Sequence, residues 1–123
     1  MQPLRIVVAH QDFVAATTLA KSLRSHFRSV GMVGSIDDMR STMAEQAIDV
    51  AVLDLELLAP AELEELCHDF PQVGFVCIHR LADEELWARV LAVGAVDCCS
   101  TNDVAGITYA ARHYAEISHI SAA

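Results

Sequence analysis

The feature that most limits how this chain can fold is an alternation repeated five times. A short apolar run is followed each time by a longer segment whose apolar residues recur at helical spacing. The runs are "LRIVVA" at 4–9, "SVGMVG" at 29–34, "DVAVL" at 49–53, "VGFVCI" at 73–78 and "AVDCCS" at 95–100. Between Phe13 and Phe27 the apolar residues Val14, Leu19, Leu23 and Phe27 recur at mostly helical intervals. Ser35 with Asp38 three residues on has the form of a capping box for "IDDMRSTMAEQA". Pro60 suits the first turn of a helix running through "AELEELCHDF", and Pro71 ends it. Asp83 is placed to cap "EELWARVLAV", and Gly94 to close that helix. Asn102 or Asp103 is placed to cap "VAGITYAARHYAEI".

Apolar strands alternating with helices imply a parallel sheet covered on both faces. Crossover connections then restrict the chain to a doubly wound α/β sandwich of five βα units. At 123 residues it suits one domain, 1–123, with its core over about 4–117. In such sheets the site lies outside the carboxyl ends of the strands. The residues expected there are His10, Gln11, Asp12, Asp54, Glu56, His79, Ser100 and Thr101.

Composition excludes several functions. The net charge is −9, and a negative surface repels phosphate backbones, so nucleic acid is not an expected partner. No apolar run approaches the roughly 18 residues needed to span a membrane. "MQPLRIVV" lacks the features of a secretory signal, so a cytoplasmic protein is expected. There is no Gly-rich nucleotide loop and no nucleophile elbow, so an enzyme is not expected. Cys67, Cys77, Cys98 and Cys99 form no CxxC pair, and three of them sit in strand runs, so they read as reduced core thiols.

Several segments, in order and at matching spacing, resemble one family. "VGMVGSIDDMRSTM" is similar to the second strand and helix of response-regulator receiver domains, which are CheY-like, and most of all to the NarL/FixJ type. "IDVAVLDLE" is similar to their third strand with its phosphoacceptor aspartate, and "DEELWARVLAVGAVD" to their fourth helix and the entry to the fifth strand. The resemblance implies a flavodoxin-like sheet of order 2-1-3-4-5 and a role in bacterial two-component (phosphorelay) signal transduction. It also implies Asp54 as the phosphoacceptor. The family's magnesium-holding acid pair falls on His10 and Gln11, with Asp12 one step beyond, its Ser/Thr on His79, its Lys on Thr101 or Ser100, and its switch aromatic on Cys98. The expected result is an atypical receiver working by protein–protein contact, with weak or no magnesium-dependent phosphorylation. Asp54, Asp12 and Glu56 are the candidate oxygen ligands for a weakly held magnesium.

Two alternatives stand beside this. One is a functional receiver phosphorylated on Asp54 by a histidine kinase. The other is a transition-metal or pH-sensing pocket built on His10, Asp54 and His79. The resemblance further implies a partner, a histidine kinase or an output protein, on the face of the fourth helix, fifth strand and fifth helix. Trp87, Tyr109 and Tyr114 are the candidate anchors there, and a homodimer through that face is a further expectation. NarL-type regulators carry a DNA-binding segment after the receiver, and none follows before Ala123. A stand-alone receiver and a domain cut from a larger regulator are both consistent with that ending.

Overall fold

The inner apolar runs become strands because they bury both of their faces, while the second and fifth runs, at the sheet edges, are only partly covered. A computed structural model describes residues 2–122, with side chains over 4–118. In chain order the elements are β1 (Gln2–Ala9), α1 (Phe13–Leu23), β2 (Phe27–Val33), α2 (Ile36–Glu45) and β3 (Val50–Asp54). There follow a 3-10 turn (Leu55–Leu57), α3 (Pro60–Asp69), β4 (Gly74–His79), α4 (Glu84–Ala92), β5 (Asp97–Ser100) and α5 (Val104–Ala122). The five strands form one sheet in the order β2-β1-β3-β4-β5, and every pair is parallel. This is the doubly wound order that the resemblance to receiver domains implies.

Side chains alternate across the sheet with a period of two. Ile6 and Val8 of β1 face one side, packing with Leu19, Ala20 and Leu23 of α1 and with Ile107, Ala110 and Ala111 of α5. Val7 and Ala9 face the other, packing with Met39 and Met43 of α2, Leu63 and Leu66 of α3, and Val90 of α4. All five residues of β3 are buried, which is why that strand shows no alternation in sequence.

The caps follow the sequence closely. Ser35 Oγ accepts from Asp38 N at 3.1 Å, Asp83 Oδ1 from Leu86 N at 2.8 Å, and Asp103 Oδ1 from Gly106 N at 3.0 Å. The start of α5 therefore rests on Asp103 rather than Asn102. Gly94 adopts φ +112°, a backbone region that L side chains rarely enter. Its N–H donates to Leu91 O at 3.1 Å and Ala95 N to Val90 O at 3.0 Å, the paired bonds of a Schellman closure.

Two readings need correction at α1. Phe27 does not belong to that helix. It opens β2, pairs with Gln2 in the sheet, and is 1% exposed in the core on the α1/α5 side. Leu23 and Phe27 point into the same core from a helix and a strand, so a four-residue spacing mimicked one helical face. Val14 is 72% exposed, and the buried stripe is Ala16, Leu19, Ala20 and Leu23. Alanines carry that stripe, and bulky residues alone did not reveal it.

Candidate functional site at the carboxyl ends of the strands

The central strands β1 and β3 deliver His10 and Asp54 side by side. Both are buried, and Asp54 is 4% exposed. Asp54 Oδ1 accepts from Glu56 N at 2.9 Å and so caps the 3-10 turn, while Oδ2 receives Gln11 N at a long 3.5 Å. His10 Nδ1 accepts from Asp12 N at 2.9 Å and also stands 3.4 Å from Asp54 Oδ2. One ring nitrogen cannot both accept the first bond and donate the second. The shorter contact decides: Nδ1 is the acceptor, the ring proton sits on Nε2, and the carboxylate is a neighbour of His10 rather than its ion-pair partner.

Above this pair three loops are tied together. Gln11 Nε2 donates to Glu56 Oε2. Glu56 Oε1 accepts from Arg80 Nε at 2.8 Å and Nη2 at 2.7 Å. The loops after β1, β3 and β4 are thereby joined through a single carboxylate. Exposed pairs of this kind contribute roughly 0–1 kcal/mol each, so the strap positions the loops more than it stabilises the fold. Sequence reasoning did not find it. The available signals were Glu56 two residues past Asp54 and Arg80 next to His79.

The remaining strand-end residues are occupied elsewhere. Asp12 caps α1, with Oδ1 accepting from Val14 N at 2.9 Å and Ala15 N at 3.3 Å. His79 Nδ1 accepts from Leu81 N at 3.0 Å, and its ring lines a cavity between α3 and α4. Among the described residues no three His, Cys, Asp or Glu side chains are grouped to hold a metal. The set His10, Asp54 and His79 is therefore not assembled, because His79 belongs to the other cavity. Nor do the residues fit magnesium. Glu56 and Asp12 have their carboxylates engaged by the protein, and His10 and Gln11 beside Asp54 offer an imidazole and a neutral amide. At the end of β5, Ser100 and Thr101 supply no cation, and the sequence has no Lys or Arg between Gly94 and Arg112.

With this geometry in view, solved structures give the comparison. The signal receiver domain of a LuxO-type repressor from Vibrio parahaemolyticus matches with TM-score 0.84 at 10% identity, over 98% of this chain and 95% of that one. The receiver domain of a NarL response regulator from Mycobacterium tuberculosis matches with TM-score 0.75 at 15% identity, over 91% and 98%. A response regulator from Burkholderia pseudomallei, described with a phosphorylated aspartic acid, a calcium ion and citrate, matches with TM-score 0.76 at 19% identity, over 97% and 73%. The chain has the receiver fold. No protein-family model matches the sequence, and no curated protein matches it.

On this receiver fold the α4–β5–α5 face carries the three aromatics unequally. Trp87 is 47% exposed, and its Nε1 donates to Asp97 Oδ1 at 2.9 Å, tying α4 to β5. Tyr109 is 67% exposed and stacks on His113 with ring centroids 5.7 Å apart. Tyr114 is half-buried, packs against the α1/α5-side core, and donates its hydroxyl to Gln72 O at 3.0 Å. The fold itself uses Tyr114, which leaves Trp87 and Tyr109 as the presented rings.

All four cysteines are free. Burial pushes the Cys99 thiol up to about 12 and the Cys98 thiol to about 11 from an ordinary 9.0, with Asp97 adding to both. Burial raises Cys77 and Cys67 as well. Thiolates are the reactive form, so these shifts lower the reactivity of the thiols in the folded chain. An unfolded chain sheds thiol protons near 9.0, whereas the folded chain holds those of Cys98 and Cys99 to about 11 and about 12. The folded state thus binds more protons across that window, and its stability is whole below it and drains as pH rises through it. Urea midpoints are expected to fall once the pH passes 9.0, and Cys99→Val is expected to flatten the fall. An identical alkaline profile for the variant would contradict this account.

Proposed function

We propose that this chain is a signalling receiver module, not an enzyme, that acts in the bacterial cytoplasm through contacts with protein partners and has weak or no magnesium-dependent phosphorylation. The observation that carries the proposal is the strap from Gln11 through Glu56 to Arg80 above a buried Asp54. In the family it resembles, magnesium and a phosphoryl group link these loops. Here a carboxylate, an amide and a guanidinium link them directly. A phosphoryl group on Asp54 would bring negative charge to a place with no cation on β5 to offset it, and such transfer depends on positioned charge. The partner, a histidine kinase or an output protein, would meet the α4–β5–α5 face, where Trp87 and Tyr109 are presented.

Titration with magnesium, followed by amide chemical shifts, tests the pocket. The expected result is no saturable change at Gln11, Asp54 or Glu56 at millimolar magnesium. A saturable change centred on those residues would sink the proposal. A second reading, phosphorylation of Asp54 by a histidine kinase, draws support from the placement of Asp54 at the end of β3 and from the phosphorylated aspartic acid of the Burkholderia protein.

A further inference from the structure

The receiver pocket leaves His79 unused, and His79 opens onto a different space. Between α3 and α4 lies a half-open cavity of about 420 Å³. Its walls are Leu55, Leu58, Leu63, Leu86, Val90 and Val93, and its polar lining side chains are His79 and Arg89. The volume falls in the range of small-molecule sites, which pair apolar walls with a few polar groups.

The two polar groups are both donors. His79 Nδ1 is taken by Leu81 N, which puts the ring proton on Nε2. Arg89 makes no ion pair or side-chain hydrogen bond among the described residues, although the chain has 17 acidic residues against 8 Lys and Arg. By contrast Arg80 is bound to Glu56, and Arg40 to Asp69. A guanidinium left over beside an apolar wall has a planar fork suited to a carboxylate. One cation and one neutral N–H match a monocarboxylate better than a phosphate dianion, which calls for more positive charge.

The packing of α4 gives an independent reason. Among the residues of α4 only Val90 is fully buried, while Leu86, on the same side, is half-covered. The helix is therefore docked with part of its apolar face still open to the cavity. A ligand there would complete that burial and hold α4 more tightly. Trp87 on the same helix bonds to Asp97 of β5, so the effect would reach the presented face.

We propose that the α3–α4 cavity binds a small apolar carboxylate, with its acyl or aryl body against the leucines and valines and its carboxylate on Arg89 and His79 Nε2. The site requires neither magnesium nor chemistry at Asp54, so it stands or falls apart from the functional reading above.

The test is titration of the full chain with octanoate, without magnesium or phosphodonor, read by amide chemical shifts and compared with octanol. Saturable shifts are expected at Leu58, Leu63, Leu86 and Val93. Octanol is expected to bind about tenfold or more weakly, the scale of a lost hydrogen bond to a charged group. Arg89→Gln, at an exposed position, is expected to weaken octanoate by a similar factor with the melting temperature unchanged. Ala92→Trp, on the exposed rim, is expected to fill the cavity and remove binding. Shifts scattered over the surface, equal binding of acid and alcohol, or undiminished binding by both variants would overturn the proposal. So would a cavity covered by a second copy, seen without ligand as concentration-dependent shifts at Leu58, Leu63 and Val93.

Discussion

Replacing Phe75 with alanine is expected to lower the free energy of unfolding by about 3–5 kcal/mol. Phe75 lies in β4, is 1% exposed, and packs in the cluster that joins the sheet to α2, α3 and α4. Its register partner on β3 is Ala51, too small to fill the space a lost ring would leave. The transfer of the ring to water and the residual cavity therefore both count. A domain of this size has roughly 5–15 kcal/mol to lose, so the variant should be close to half unfolded at moderate urea. The consequence reaches the site, because β4 also carries His79 and leads to Arg80. Urea unfolding followed by circular dichroism measures the loss. A change below about 1 kcal/mol would show that the β4 ring is not enclosed as described.

The second large effect concerns Gly74, which opens β4 directly before Phe75. Gly74→Ala would place a Cβ 2.6 Å from Tyr114 Cδ2 and 2.7 Å from Cγ, closer than packed carbons approach. Glycine to alanine in a strand gains about 0.4–1 kcal/mol from the unfolded chain's lost freedom. Overpacking costs about 1–3 kcal/mol, so the clash wins and the variant is destabilised. Relief would come only by moving Tyr114, which would break its bond to Gln72 O and disturb the seat of α5. In a Tyr114→Ala background the same substitution is expected to become neutral or stabilising. A double-mutant cycle by urea denaturation reads this coupling directly, and additive effects would rule out the contact.

Much of the fold was legible because its signals are local. Strand runs, cap residues and Gly94 each act within a few positions, while the sheet order came from the resemblance to receiver domains. The misplacement of Phe27 shows the limit of that reading, since helix and strand can share a spacing when both face one core. The receiver likeness placed Asp54 at the end of β3, and His10 sits beside it as its strand position required. Asp12 caps α1, a local signal that its place in the acid-pair reading masked. Two features were not legible. His79 faces α4 rather than Asp54, which depends on how a side chain leaves its strand end. The strap through Glu56 links residues 24 and 45 positions apart, and no local pattern reports such a pairing.

The central proposal is that Asp54 of this receiver fold takes up a phosphoryl group weakly or not at all. The measurement that tests it most directly is intact mass spectrometry after incubation with a small acyl phosphate and magnesium, beside an ordinary receiver and an Asp54→Asn variant. The account predicts that the ordinary receiver gains the mass of one phosphoryl group while this chain and its variant keep their masses. A phosphoryl adduct on this chain that disappears in Asp54→Asn would contradict it.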